Sequence, residues 1–200
     1  MKRTLKFLAA AALTAAMAPA QAAIINGSFE DNFQANGTWN IYQNLVGWTG
    51  GQLGIELRNN VAGVAHTGNN YVELDTTGNS LASQLVTTSG TLYSLTFAYS
   101  PRMNVPASSN GLQVWWNGSL AGFVTGTGNN SGNNWVLHTL QVLGTSPTST
   151  LEFRAVGTSD SLGGSLDSVS ITSVPEPATL ALLGLGLAGL GLARRRKAAA

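Results

Sequence analysis

The 200-residue chain contains no cysteine. That absence excludes disulfide scaffolds, cysteine-ligated zinc, iron–sulfur clusters and thiol nucleophiles together. Charge is also scarce, at 10% of residues, and its basic part sits almost wholly at the ends. Lys2, Arg3 and Lys6 stand at one end, and Arg194, Arg195, Arg196 and Lys197 at the other. In residues 23–173 there is no lysine, and only Arg58, Arg102 and Arg154 face eight acids. The formal net charge of +1 therefore belongs to the termini, and the middle, being acidic, is no nucleic-acid-binding domain. Histidine is limited to His66 and His138, too few by themselves for a zinc site, and no Gly-x-Ser-x-Gly is present. Nucleophilic hydrolysis is poorly served.

The N-terminus has the build of a secretory signal. The positive Lys2, Arg3 and Lys6 precede a short apolar run, and Ala20-Gln21-Ala22 supplies small residues at a cleavage site. Residues 1–22 are thus expected to be removed and Ala23 to be the mature start, in a compartment that permits disulfides the chain does not use. At the other end, residues 178–193 are free of charge and would span roughly 24 Å as a helix, a little under the ~30 Å hydrocarbon core. Arginines that reach back to the interface make up the difference, and the basic cluster would stay cytoplasmic, leaving the preceding domain outside. The glycines Gly184, Gly186 and Gly189 fit GxGxxG, but no strand precedes them and no acid follows. They suit close helix packing instead.

Val174, Pro175, Glu176 and Pro177, an apolar helix and then Arg194, Arg195 and Arg196 follow one another in a fixed order. This order over residues 174–197 resembles the PEP-CTERM sorting signal of Gram-negative, exopolysaccharide-producing bacteria. The same tail is also labelled an ice-binding protein C-terminal domain, which by itself says nothing of ice. The resemblance implies recognition of the Pro-Glu-Pro by an exosortase in the inner membrane. It also implies a membrane-held precursor and a final place at the cell surface or in the extracellular matrix.

Residues 23–173 have the size of one core. They hold twenty glycines, are crowded with Asn, Ser and Thr, and offer no segment of convincing helical period. Short strands are expected at 24–29, 39–42, 55–58, 71–75, 81–87, 92–99, 112–116, 120–124, 135–143, 151–156 and 166–171. Asn117-Gly118 is the strongest hairpin signal, because it supplies the positive φ values of a tight turn. An all-β, antiparallel sandwich follows.

Several short motifs occur in succession: Asn26-Gly-Ser-Phe-Glu30, Gly47-Trp48, Gly68-Asn-Asn-Tyr-Val-Glu-Leu-Asp75 and Gly164-Ser-Leu-Asp167-Ser-Val169. Together they resemble the galactose-binding-like jelly rolls, in particular the DUF642-like group of surface proteins. In that family a structural calcium ion commonly joins the first strand to the last. The resemblance therefore implies Glu30 and Asp167 as metal ligands, with hydrogen bonding to a turn as the alternative for Asp167.

The remaining chemistry rests on residue type. Glu73 and Asp75 share a strand face about 7 Å apart, a spacing that decides between no glycosidase mechanisms, and a solvated polar face is the expectation for them. Sugar recognition needs aromatic faces beside hydrogen-bonding groups. Trp39, Trp48, Trp115 and Trp116 are candidates, and adjacent Trp115 and Trp116 must point to opposite sides of their strand. Arg102, in an expected loop, either pairs with an acid or contacts a ligand. The expected function is that of an exported, non-catalytic glycan or matrix-interaction module, binding neutral polysaccharide because its domain lacks lysine. A purely structural matrix component is the alternative, and a glycoside-active enzyme a weaker one.

Overall fold

The computed structural model describes residues 22–88, 90–174, 184–189, 191 and 194. Within 22–174 the chain forms two antiparallel six-stranded sheets. Sheet A runs β1 (Thr38–Tyr42), β4 (Ile55–Asn59), β5 (Asn70–Glu73), β12 (Ser165–Ser173), β7 (Leu92–Ser100), β10 (Val136–Leu143). Sheet B runs β2 (Asn44–Leu45), β3 (Trp48–Gly50), β6 (Leu81–Thr87), β11 (Thr148–Val156), β8 (Gly111–Trp116), β9 (Ser119–Val124).

Alternation builds the sandwich. Tyr93, Leu95, Phe97 and Tyr99 of β7 turn inward, as do Leu151 and Phe153 of β11, and all are buried. An aromatic chain crosses between the sheets: Phe29 to Trp48 at 5.6 Å, Trp48 to Phe153 at 6.1 Å, Phe153 to Phe97 at 5.2 Å. His138 of β10 continues it, stacked on Phe97 at 5.4 Å, so this histidine is a packing residue. Every residue of the core cluster lies between Ala22 and Ile171. Among the described residues the hydrophobic core is thus built wholly within 22–174.

Ends of the strands expected from 39–42 onward agree with the structure to within three residues. The hairpin at Asn117 (φ 51°) and Gly118 (φ 75°) joins β8 to β9 as expected. Residues 24–29, however, are not a strand. Asn26 and Phe29 have φ values of 51° and 61°, which break an extended run. The side chain of Gln84 takes the place of a neighbouring strand there, accepting from the Ile25 N–H at 2.7 Å and donating to its carbonyl at 2.9 Å. The segment still lies against the last strand, since the Val169 N–H donates to Gly27 O at 2.8 Å. The two short strands β2 and β3 had no sequence signal, being too brief to show alternation.

Among the described residues no helix is long and apolar enough to cross a membrane, and residues 184–189 are helical. The expected signal peptide apart from Ala22, Pro175, Glu176, Pro177, Arg195, Arg196 and most of the 178–193 span lie outside the described residues.

Candidate functional site

The outward face of sheet A is sealed over β4, β5 and the start of β12. Register pairs Glu56 with Glu73 and Arg58 with Tyr71 across β4 and β5, and Ser165 of β12 continues the same face beside Glu73. Such a face is ordinarily wet in a sandwich. Here Glu56, Arg58, Tyr71, Glu73 and Ser165 are all buried, as is Asp75 just beyond β5. Loops form the cover. Trp135 packs edge-on to Tyr71 at 5.7 Å and to His66 at 6.0 Å, while its Nε1 donates to Val64 O at 3.0 Å. The expectation of a solvated strand face at Glu73 and Asp75 is therefore corrected, because loop residues far away in sequence lie over it.

Under that cover the charges pair. Arg58 Nε donates to Glu56 Oε1 at 2.5 Å, and Arg58 Nη2 bridges to Glu73 Oε2. Arg102 Nη1 reaches the same Glu73 Oε2 at 3.0 Å and Ser161 O at 3.1 Å. Of the two roles open to Arg102, the structure gives it the ion pair. Burial pushes the Glu73 carboxyl up to about 8 against the pull of Arg58 and Arg102, with Glu56 adding to the rise. Asp75 accepts the N–H groups of Asp160 at 3.0 Å and Leu162 at 3.2 Å. Glu73 and Asp75 thus each hold a loop in place.

Glu30 and Asp167 meet around a second loop. Glu30 Oε1 accepts the N–H groups of Asn69 and Asn70 at 2.9 and 2.7 Å. Asp167 Oδ2 accepts those of His66 and Thr67 at 2.8 and 3.0 Å, and Oδ1 that of Ser168 at 2.5 Å. The two acids therefore bind successive halves of one loop. Burial raises the Asp167 pKa to about 6, against these hydrogen bonds, and the nearby Glu30 charge raises it further. Two carboxylates that repel one another are a fit for a divalent cation, which wants oxygen ligands and would relieve the repulsion. No group of three Asp, Glu or His is found among the described residues, so backbone, amide or water oxygens would have to complete such a shell.

Sheet B offers the open face. Trp116 turns inward, buried, with Nε1 donating to Leu143 O at 2.8 Å. Trp115 turns outward, as alternation requires, and Nε1 donates to Gln113 Oε1 at 2.9 Å. The Arg154 guanidinium lies 4.4 Å from the centre of the Trp115 ring and pairs with Glu152 at 2.5 Å. Gln113 stands opposite Arg154, and Trp115 opposite Glu152, in the register of β8 and β11. Beside them is a cavity of about 510 Å3 whose lining includes Leu53, Asn79, Gln113 and Arg154.

The candidate tryptophans thus separate. Trp115 faces outward on a polar sheet, and Trp39 is 54% exposed on edge strand β1. Trp48 and Trp116 are core residues and are corrected from the ligand-binding set. Trp48 sits between Phe29 and Phe153, its Nε1 donating to Asn26 O at 3.0 Å. Gln113, Glu152 and Arg154 were not expected at a site. Their signal was available: Gln113 is two residues from Trp115, and so on its face. The pairing of β8 with β11 that brings Arg154 to the ring was not legible.

No curated protein matches the chain. Among solved structures it is similar to a Stig cyclase, Fisc, from Fischerella sp. TAU in complex with (3Z)-3-(1-methyl-2-pyrrolidinylidene)-3H-indole. The TM-score is 0.58 at 12% identity, over 80% of this chain and 100% of that one. A cyclase from Fischerella sp. TAU in complex with 4-(1H-Indol-3-yl)butan-2-one gives a TM-score of 0.54 at 13% identity, over 77% and 97% of the two chains. TmCBM61 in complex with beta-1,4-galactotriose aligns with a TM-score of 0.49 at 17% identity, covering 74% of this chain and 96% of that one. The likeness to the cyclases is one of fold, the jelly-roll sandwich. The tail is identified directly: residues 173–197 carry the PEP-CTERM protein-sorting motif.

Proposed function

We propose that the chain is an exosortase-processed surface protein whose sandwich is a non-catalytic glycan-interaction module, binding neutral sugar faces on the open side of sheet B. The sorting motif implies export to the cell surface of a Gram-negative bacterium. The observation that carries the binding reading is the outward Trp115, held by Gln113 and Arg154 beside a cavity of about 510 Å3. An aromatic face fixed among polar groups is what a pyranose ring stacks on. Glu73 and Asp75 support the non-catalytic reading, because their oxygens are occupied by arginines and loop N–H groups. Calcium bound between Glu30 and Asp167 acts as a structural ion that ties the 66–70 loop to the last strand.

A glycan array on residues 22–174 tests the binding reading. Binding without turnover supports it, and silence across neutral glycans favours a purely structural matrix protein instead. Exposed Leu120 and Phe123 on edge strand β9, with Leu137 and Leu143 on edge strand β10, give that second reading an apolar surface for association. Sorting is tested separately. Replacing Pro175, Glu176 and Pro177 with alanine should leave an unprocessed, membrane-held precursor, and normal processing of that variant would refute the role of the tail.

A further inference from the structure

We infer that the domain has a second sugar-binding site, in the asparagine-rich groove walled by Phe33. The inference rests on the reading of the domain as a glycan module, but on different residues at a different place. Asn59, at the far end of β4 from the Leu53 cavity, lines a separate cavity of about 380 Å3 together with Glu30, Asp31, Phe33, Asn69 and Asn70. A smaller cavity of about 170 Å3 adjoins it, sharing Asn59 and Asn69 and adding Asn36 and Asn60. The two lie side by side along the same asparagine-rich surface.

Three features of this groove suit an uncharged pyranose chain. The first is Phe33. At 87% exposure it is the most exposed large apolar side chain among the described residues. A lone exposed phenylalanine would mean little, but this one forms the wall of a cavity that is otherwise polar. The apolar C–H face of a sugar ring covers such a ring, while the hydroxyls at its rim meet amides and carboxylates.

The second is Asn70. It is almost wholly buried, and its Nδ2 donates to Phe29 O at 3.0 Å and Asn32 O at 2.7 Å, which fixes the orientation of the amide. Among the described residues its Oδ1 has no donor. The fixed amide sets the floor of the groove, and a sugar hydroxyl would reach the buried Oδ1 only with a small local shift.

The third is charge. The groove is lined by two carboxylates and no basic side chain. All three arginines of the domain are committed elsewhere: Arg58 and Arg102 to Glu73, Arg154 to Glu152 and Trp115. A uronate or sulfate would meet repulsion there from Asp31, and from Glu30 wherever no cation is bound to it. The site takes neutral sugars.

The second cavity gives the groove room beyond one ring, so the ligand is an internal stretch of a polysaccharide or its end. With Trp115 on sheet B, one domain would hold two segments of polymer. Two sites on one small module raise avidity for a dense matrix well above that of either alone.

The test uses residues 22–174, which hold the whole of the described core, with neutral tetrasaccharides of glucose, xylose, mannose and galactose units and a uronic-acid tetrasaccharide as the charged control. Amide shifts and calorimetry are recorded for the unsubstituted domain, Phe33→Ala, Trp115→Ala and the double variant. Phe33 is on the surface, so its loss leaves the fold intact. The expected result is a neutral tetrasaccharide that shifts Asn59, Asn69 and Asn70, with affinity at that site weakened about tenfold or more by Phe33→Ala and unmoved by Trp115→Ala. If shifts stay with Gln113, Trp115 and Arg154 and Phe33→Ala changes nothing, this inference falls and the sheet B reading stands. If Phe33→Ala weakens binding and Trp115→Ala does not, the reverse holds. Binding of none of the neutral sugars, or of the uronate alone, overturns both.

Discussion

The two sheets carry the same three-residue pattern in opposite surroundings. Glu56-Leu57-Arg58 on β4 and Glu152-Phe153-Arg154 on β11 each turn an apolar residue inward and an acid and an arginine outward. In each the arginine pairs with the glutamate two residues before it, at 2.5 Å. On sheet A the pair is sealed, with Arg58 at 2% and Glu56 at 6% side-chain exposure. On sheet B it is open, at 35% and 18%. Local sequence fixes which residues point out of the sandwich, and loops from elsewhere decide whether outward means wet. The chemistry diverges accordingly. Arg58 serves as a structural clamp for Glu73, whereas Arg154, paired with Glu152, lies over an aromatic face in contact with solvent.

The comparison breaks most visibly in stability. Arg58→Ala leaves Glu73 and Glu56 buried with one cation fewer, and removing one partner of a buried pair costs about 3–5 kcal/mol. Thermal unfolding should show the loss as a fall of some ten degrees or more for a domain of this size. Arg58 Nη1 has no acceptor, so the clamp is not fully satisfied even in the native protein. Replacing Glu56, Arg58 and Glu73 by apolar residues of similar volume should therefore be far less harmful than Arg58→Ala alone. Equal damage from both would show that the pairing, and not the burial of an unmatched charge, dominates.

This contrast also marks how far the sequence could be read. The expected strand at 71–75 put Tyr71, Glu73 and Asp75 on one face and Val72 and Leu74 on the other, and the structure agrees. That the polar face is dry was not legible, because its cover comes from the 60–68 and 125–135 loops, and loops show no periodicity. Turns with a chemical signature, such as Asn117-Gly118, were legible. The 24–29 segment was misread because its alternation is that of a strand while its partner is the side chain of Gln84. At the candidate site the outward tryptophan followed from pleat geometry, since one of Trp115 and Trp116 had to face out. Trp48 fell outside the expected strands because β3 is too short to recognise.

Calcium should produce the next largest effect, at the junction that ties sheet A to its covering loop. An ion at a hundred times its dissociation constant adds about 2.7 kcal/mol to stability, and Asp167→Ala should erase most of that gain. The sign of the pH dependence sharpens the test. The Asp167 pKa is raised from 3.8 to about 6, so the folded domain without metal holds a proton that the unfolded chain releases across that interval. The stabilising contribution is complete below 3.8 and is lost as pH rises through about 6. Glu73 acts in the same sense between 4.5 and about 8. Calcium needs the carboxylate, so its stabilisation must grow with pH where the metal-free contribution fades. Melting curves with chelator and with excess calcium should diverge on going up through that window. Curves that coincide throughout would remove the ion from the account.

On the open sheet the effect should appear in binding and not in folding. Trp115→Ala removes the stacking face and should weaken a neutral glycan about tenfold, with the melting temperature changed by a degree or two at most. A comparable loss of stability and binding together would mean that Trp115 is part of the packing. Raising the salt concentration should leave the affinity nearly unchanged, since screening acts only on the charged part of an interaction.

The smallest effect is the most pointed counterpart to Arg58. Arg154→Ala removes the same residue type from the same pattern, with the same spacing to its glutamate, but in contact with solvent. A solvent-accessible ion pair of this kind contributes no more than about 1 kcal/mol. The accompanying cation–π contact adds an amount of similar size at a partly exposed ring. The glutamate left behind, Glu152, can be hydrated, which Glu73 cannot. Unfolding of Arg154→Ala should therefore be close to that of the unsubstituted domain, and any change in glycan affinity should come through the looser Trp115 ring. Measured side by side, the two arginine substitutions isolate what the loops over sheet A contribute. If they destabilise equally, burial is not what separates the two faces.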